Sequence, residues 1–182
     1  MTDSPAGDIE FRGYKLTPVY GRAPPAARDD IVGMWLAAGV LAPDEARRRV
    51  DEVVYTIRNP SGELAGVNTV YVQDVPGGAG PYYFYRTFVR PADRGVPGLT
   101  TAAFKAAVAL LRGHPHPRSP RGVVAIVENA KLARRGAVAR MKRVGLHLVG
   151  RDAQGRDVWC VKFDGTVPVA PAGLLKPVPD QR

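Results

Sequence analysis

Cysteines, long apolar runs and acidic side chains are all scarce in this sequence. A single cysteine excludes an internal disulfide, and such low cysteine usage fits a reducing compartment. The apolar runs are short, for example residues 123–127. A helix that crosses a bilayer needs roughly 20 apolar residues. The first ten residues lack both the basic and the apolar region of a secretion signal. These absences predict a cytoplasmic protein with no membrane partner.

The shortage of acidic residues leaves a net charge of +9, from 26 Lys and Arg against 17 Asp and Glu. The excess is local, because residues 112–156 hold eleven basic side chains and only Glu128 and Asp152 as acids. A solvated basic surface explains such a bias. An anionic partner, such as a phosphorylated cofactor, a nucleic acid or an acidic substrate, explains it equally well.

Histidines are also few, and none indicates a metal site. His114 and His116 lie in an H-P-H-P segment with no cysteine or acidic ligand at metal-binding spacing. His147 alternates with leucines in a predicted strand, which favours a structural histidine over a general base. Cys160, in V-W-C-V-K-F, is typical of a buried strand residue and has no histidine partner in sequence that would make it a nucleophile.

The most informative stretch is residues 82–112, which predicts a strand, a loop and a helix. Residues 82–89 are rich in aromatic and β-branched types, and residues 90–98 form a Pro/Gly-rich loop. The following segment has one apolar stripe at helical spacing, made of Ala103, Phe104, Ala107, Val108, Leu110 and Leu111. A helix that begins just after a strand and a short loop offers unpaired amides and a favourable dipole to an anion.

The rest of the chain predicts the order β-α-α-β-β-β-α-β-α-β-β. Apart from the central strand and helix, the predicted strands are 16–20, 52–58, 63–72, 122–127, 146–150 and 157–163, and the predicted helices include 137–144 and two that begin near the prolines at positions 24–25 and 43. The length suits one domain, which we assign to residues 1–166. Residues 167–182 are proline-rich and predict an extended tail.

The loop V-R-P-A-D-R-G-V-P-G-L resembles the coenzyme-A pyrophosphate loop of the GNAT acyltransferase superfamily, roughly V-x-P-x-x-R-G-x-G-x-G/A. Four of its positions match, namely Val89, Pro91, Arg94 and Gly95. Pro97 and Leu99 replace the later glycines, with Gly98 as a shifted substitute. The element order and the R-V-G-L turn before the last hairpin are similar to the same family. The resemblance implies an α/β (α+β) fold whose mixed, mostly antiparallel sheet is flanked by helices.

The same resemblance implies a cofactor, acetyl-CoA or another acyl-CoA, and the residues that hold it. The pantetheine arm would pair with backbone groups near Phe88 and Val89. The pyrophosphate would lie on the loop and the start of the following helix, at Arg94, Gly95, Val96, Gly98, Leu99 and Thr100. Asn129 lies near a position where many members hold the cofactor with an asparagine.

The family commonly has a tyrosine, acting as an acid to the thiolate, where this chain has Met141. A thioether cannot donate a proton. Glu128 and Tyr85 are the candidate catalytic groups, with Tyr83 a further one. The alternatives are an exposed strand-end carboxylate for Glu128 and packing roles for the tyrosines.

Three functions therefore stay open. The first is an acyl-CoA-dependent N-acyltransferase whose acceptor is a small amine or an amine on an anionic macromolecule. The second is a catalytically degenerate GNAT-like binding or regulatory module, which Met141 and Pro97 favour. The third is a nucleic-acid-binding protein that uses the basic segment near residues 134–143.

Overall fold

The computed structural model describes residues 7–75, 80–127 and 135–168 of the chain. Its strands and helices follow the predicted order with one addition. In chain order they are β1 (Ile9–Phe11), β2 (Tyr14–Pro18), α1 (Pro25–Ala37), α2 (Pro43–Arg49), β3 (Val53–Arg58), β4 (Leu64–Val75), β5 (Gly80–Val89), α3 (Leu99–Gly113), β6 (Gly122–Ile126), α4 (Arg135–Arg143), β7 (His147–Arg151) and β8 (Asp157–Lys162).

Across the described residues, the strands form one eight-stranded sheet in the order β1-β2-β3-β4-β5-β6-β8-β7. The pairs β1–β2, β2–β3, β3–β4, β6–β8 and β7–β8 are antiparallel. The strands β5 and β6 pair in parallel, as expected for two strands joined by the α3 crossover. The predicted mixed, mostly antiparallel sheet is confirmed.

The added element is β1, which the sequence analysis did not predict. It is three residues long, and its turn to β2 contains Arg12 at φ 51° and Gly13 at φ 79°. A strand this short shows no alternation of apolar and polar residues, so only its pairing with β2 defines it. The predicted strand at 16–20 is β2, which begins two residues earlier and ends at Pro18.

The chain divides into two compact units, and β4 and β5 each run through both. The first unit comprises Met1–Val70 and Thr87–Leu111. Its helix α1 begins at a proline and buries Ile31, Met34 and Trp35, the face that helical spacing predicts. These side chains pack with Val19 just after β2, with Ala46 of α2, and with Val53 and Val67 of the neighbouring strands.

A buried asparagine joins the strands of the first unit to α3. Asn68 is fully buried; its Oδ1 accepts the Tyr55 N–H at 2.9 Å, and its Nδ2 donates to the Ala103 carbonyl at 3.0 Å. The Tyr55 N–H needs this partner because the β3–β4 register shifts between Val53 and Tyr55. Buried polar groups with both ends paired fix one packing arrangement of sheet and helix.

The second unit comprises Tyr71–Arg86 and Arg112–Arg182. One apolar cluster in it joins Tyr82 of β5, Val124 of β6, and Val158 and Cys160 of β8. The helix α4 ends in a Schellman-type cap: the Leu146 N–H donates to the Met141 carbonyl, the Gly145 N–H donates to that of Lys142, and Gly145 has φ 81°. The R-V-G-L turn in the sequence is therefore a helix cap leading into β7.

No helix among the described residues combines the length and the apolar character needed to cross a bilayer. The single-domain assignment and the tail at 167–182 stay predictions, and residues 169–182 lie outside the described part of the chain.

Candidate functional site

The loop between β5 and α3 is held in place by a buried aspartate. Asp93, 5% exposed, ends a short 3-10 turn, Pro91–Asp93. It accepts a hydrogen bond from the Tyr14 hydroxyl of β2 at 2.9 Å and one from Arg90 Nε at 3.0 Å. The bond to the carboxylate raises the pKa of Tyr14 above its usual range. Three side chains thus fix where the loop leaves the sheet.

Arg94 reaches back to the strand that precedes it. Its Nε donates to the Val89 carbonyl at 2.8 Å, and its guanidinium carbon lies 5.9 Å from the centre of the Phe88 ring. The described residues provide no acceptor for its two terminal nitrogens. One edge of the guanidinium therefore closes the loop while the other edge can bind an anion.

Backbone amides without a protein partner collect at the start of α3. Within the described residues, no acceptor takes the N–H groups of Gly95, Val96, Gly98, Thr100 or Thr101, whereas the Leu99 N–H donates to the Val96 carbonyl at 3.3 Å. Pro97 has no N–H to offer. These five amides lie in the loop and first turn of a 15-residue helix. Unpaired amides at a helix N-terminus attract negative charge, and we refer to these five as the amide cradle.

Gly98 is required by its backbone conformation and by its surroundings. Its φ is +86°, and a Cβ there would lie 3.1 Å from Cζ of Phe11. Only glycine adopts this conformation without strain. Gly98, which follows Pro97, therefore fixes the turn into α3.

The end of β5 is the second part of the candidate site. Its pairing with β6 covers Tyr83, Phe84 and Tyr85 and ends four residues before β5 does. Beyond that point the Phe88 carbonyl faces Gly66 of β4, and the Val89 carbonyl accepts the bond from Arg94. The backbone of these two residues is therefore partly committed to the protein. Their predicted pairing with a pantetheine arm stays a prediction.

An open groove of about 910 Å³ lies in the first unit, beside the same loop. Met34, Leu64 and Phe88 supply apolar surface. Its charged rim includes Arg58, paired with Asp30 at 2.6 Å, and Arg90, paired with Glu63 at 3.2 Å. Because Arg58 and Arg90 are already paired with these acids, Arg94 is the arginine of the groove best placed to meet an anionic ligand.

The structure describes two of the three predicted catalytic groups, Tyr85 and Tyr83. Tyr85 is half-buried on β5, opposite Ala125, at the last position where β5 and β6 pair. Tyr83 is fully buried, and its ring contacts those of His116 and Phe163, so it is a core residue. Glu128 and Asn129 lie outside the described residues, as do Lys131 and Arg134, the two basic residues between them and α4.

The remaining titratable candidates differ in burial and in their charged neighbours. The described residues contain no group of three or more His, Cys, Asp or Glu that could hold a metal ion. His147 is exposed on β7. Burial, followed by the charge of Arg118, lowers the pKa of His116.

Cys160 is 5% exposed, and burial raises the pKa of its thiol to about 12. At pH 8 we therefore expect only about one thiolate in ten thousand molecules. A thiol-specific chromogenic disulfide should label the native protein far more slowly than protein unfolded in guanidinium. Equal rates in the two states would show that this strand opens readily, contrary to the buried position of the thiol.

Sequence patterns did not single out the groups that hold the loop. Asp93, Tyr14 and Arg90 interact through the fold, although Arg90 and Asp93 also have the i, i+3 spacing of a local ion pair. That spacing just after a predicted strand is the one signal that could have found them.

Comparisons with known proteins identify the architecture. No protein-family model matches the sequence, and no curated protein does. The structure is similar to a GNAT-superfamily phosphinothricin acetyltransferase from Sinorhizobium meliloti in complex with acetyl-CoA, at TM-score 0.62 and 14% identity, over 89% of this chain and 95% of that one. It is also similar to the GNAT domain of S. lividans PAT, at TM-score 0.59 and 14% identity, over 85% and 95% of the two chains.

A third similar structure is Arabidopsis thaliana NAA60 in complex with acetyl-CoA, at TM-score 0.53 and 17% identity, over 81% of this chain and 96% of that one. The chain has the GNAT fold. The predicted fold is confirmed, and at these identities the similarity concerns the fold alone.

Two departures from the GNAT loop and helix patterns now have structural descriptions. Pro97 removes one amide from the cradle, but five others remain unpaired around it. Met141 is half-buried in the last turn of α4, where its carbonyl receives the Leu146 N–H. Its side chain adds apolar surface and no proton donor.

Proposed function

We propose that this GNAT-fold protein is an acyl-CoA-dependent N-acyltransferase that uses acetyl-CoA or another acyl-CoA. The observation that carries the proposal is the cradle of unpaired amides at residues 95–101, directly after β5. A second support is that two of the similar structures, the Sinorhizobium enzyme and NAA60, are described in complex with acetyl-CoA.

The residues of the loop fit a diphosphate. A diphosphate needs several donors and little steric bulk. The five amides supply the donors, and a Cβ added at Gly95 would meet nothing within 4 Å. The terminal nitrogens of Arg94 add a positive charge beside them. We assign the pyrophosphate to Arg94, Gly95, Val96, Gly98 and Thr100, with Leu99 contributing packing because its N–H is already used.

In the proposed transfer, the amine nitrogen forms a bond to the acyl carbon and the carbon–sulfur bond breaks. The amine loses a proton and the departing thiolate gains one, so a base and an acid are needed. Tyr85, at the end of the β5–β6 pairing, is the described residue that we propose for the acid. Glu128 is our candidate for the base, and Asn129 our candidate for a cofactor contact.

Thermal unfolding with and without acetyl-CoA tests the cofactor assignment. Acetyl-CoA at a hundred times its dissociation constant should stabilise the fold by about 2.7 kcal/mol. For a chain of this size that corresponds to a rise in Tm of roughly 5–11 °C. Release of free thiol in the presence of an amine panel then tests turnover. No rise with acetyl-CoA, longer acyl-CoA or free coenzyme A would refute the proposed cofactor.

Arg94→Ala should weaken acetyl-CoA binding about tenfold, because a charge-assisted contact to a phosphate is lost. Arg47→Ala is the matched control, since this α2 arginine is exposed and pairs with Asp44 at 3.1 Å, away from the loop. Titration calorimetry of both variants measures the difference. Equal affinities would show that the phosphates bind elsewhere.

The alternative is a GNAT-fold binding module that has lost turnover, and Met141 is the observation that favours it. Such a module would show the acetyl-CoA stabilisation but release no thiol with any amine. Nucleic-acid binding is a further alternative, based on the basic bias of residues 112–156, in which Lys142 and Arg143 of α4 are exposed. It predicts affinity for nucleic acid that falls steeply as salt is raised.

A further inference from the structure

The turn between β1 and β2 contacts the segment that carries the amide cradle at two points. The Phe11 ring, on the β1 side of the turn, packs on Gly98, where an added Cβ would lie 3.1 Å from Phe11 Cζ. On the β2 side, the Tyr14 hydroxyl donates to Asp93 at 2.9 Å. Phe11 pairs with Tyr14, so Arg12 and the glycine after it are the two central residues of the turn. Both ends of this turn are therefore fastened to the loop, and all of these residues belong to the first unit.

Arg12 has a backbone conformation that its residue type disfavours. Its φ is 51° and that of Gly13 is 79°, and a two-residue hairpin turn of type I′ needs positive values at both positions. Asparagine and glycine adopt such values readily, whereas an arginine is strained there. Formation of the turn therefore does not account for an arginine at position 12.

The side chain of Arg12 carries a charge without a protein partner. It is exposed, and the described residues provide no acceptor for its guanidinium nitrogens. Its guanidinium carbon lies 5.7 Å from the centre of the Phe11 ring, the ring that also covers Gly98. Contact with an aromatic face restricts a guanidinium and leaves the N–H groups at its edges available. A positive charge is thus held on the ring that covers one of the cradle glycines.

The loop itself supplies little charge for a diphosphate. Arg90 is held in two ion pairs, and Arg94 gives its Nε to a backbone carbonyl. Pro97 offers no amide. A second arginine can bind phosphate oxygens through two parallel N–H bonds and add the missing charge.

We propose that Arg12 binds the diphosphate of the acyl-CoA, as a guanidinium that the β1–β2 turn brings to the amide cradle. This inference rests on the proposed acyl-CoA site and adds to it a residue from outside the loop. Arg12 is then a cofactor-binding residue, and Phe11 is the residue that positions it.

Titration calorimetry with acetyl-CoA compares Arg12→Asn with the unmodified protein. Affinity should fall about tenfold, the low end of the range for a lost hydrogen bond to a charged group. Because asparagine is favoured in this turn, the Tm of the unliganded variant should rise by about 2 °C. A purely structural role would change Tm alone. Arg12→Lys, which keeps the charge without the fork, should retain most of the affinity.

Arg22→Asn is the matched control, since it removes the same charge from an exposed position beyond the other end of β2. It should leave the affinity unchanged. The measurements are repeated with 3′-dephospho-coenzyme A, which keeps the diphosphate and lacks the ribose phosphate. The loss of affinity in Arg12→Asn should persist with this ligand.

Four results would overturn the role of Arg12 and leave the proposed cofactor intact. They are an unchanged affinity in Arg12→Asn, an equal loss in Arg22→Asn, a loss accompanied by a fall in Tm, and a loss that disappears with 3′-dephospho-coenzyme A. Failure of the unmodified protein to bind acetyl-CoA would overturn both proposals.

Discussion

Asp93→Ala is expected to destabilise the protein by about 3 kcal/mol, the range for removing one partner of a buried charged pair. The substitution leaves the buried Tyr14 hydroxyl without its 2.9 Å acceptor and removes the 2.9 Å ion pair with Arg90. Arg90 keeps Glu63 at 3.2 Å, which limits the loss. Thermal unfolding should show a fall in Tm of roughly 6–12 °C for a chain of this length.

Asp74→Ala is the matched control, because Asp74 also accepts a close bond, from Arg118 at 2.6 Å, but at an exposed position. Exposed pairs contribute about 0–1 kcal/mol, so Tm should change by less than about 4 °C. The two variants should also differ in cofactor binding. Asp93→Ala should reduce the stabilisation by acetyl-CoA, whereas Asp74→Ala should leave it unchanged. If the two substitutions had the same small effect on Tm, the buried cluster under the loop would not hold it in place.

Most of the GNAT fold follows from local features of the sequence. The α1 face of Ile31, Met34 and Trp35 has the helical period and is buried where that period predicts, and the predicted strand at residues 82–89, rich in aromatic and β-branched types, lies within β5. Boundaries differ where pairing with a neighbour decides them. Strand β4 extends to Val75, three residues beyond its prediction, and β1 exists only as the partner of β2.

The candidate site is predicted less completely, because its parts come from distant positions. The strand–loop–helix pattern predicts where unpaired amides occur, and the amides of Gly95, Val96 and Gly98 are unpaired as an anion site requires. The pattern contains no information on which side chains hold the loop. Tyr14 and Asp93 are 79 residues apart and meet only in the folded sheet.

Arg94 shows a second limit of motif reasoning. The resemblance assigns its charge to the pyrophosphate, whereas the structure also gives its Nε to the Val89 carbonyl. Under the proposed function, this one side chain would both close the loop and face the ligand. A substitution there changes both, which is why the Arg94 experiment measures affinity directly and compares it with an arginine outside the loop.

Gly66→Ala is expected to cost about 2–3 kcal/mol, the upper part of the range for overpacking, although it adds one methyl group. A Cβ at Gly66 would overlap the Phe88 carbonyl oxygen and lie 3.1 Å from the Val89 Cα. Both are backbone atoms of β5, which no change of rotamer can move away. The neighbouring Ala65 carbonyl accepts the Arg90 N–H at 2.8 Å, so the added methyl group would strain the strand where the loop begins.

Gly33→Ala provides the contrast, because a Cβ at this α1 position would meet nothing within 4 Å. It should stabilise the protein by about 0.5–1 kcal/mol, since alanine is the better helix former. Chemical denaturation of both variants should therefore move the midpoint in opposite directions. Because the Gly66 methyl group displaces Phe88 and Val89, affinity for acetyl-CoA should also fall in Gly66→Ala and remain unchanged in Gly33→Ala. A Gly66→Ala protein with normal stability and normal affinity would mean that β4 and β5 can separate there without disturbing the loop, and the end of β5 would then not position the cofactor.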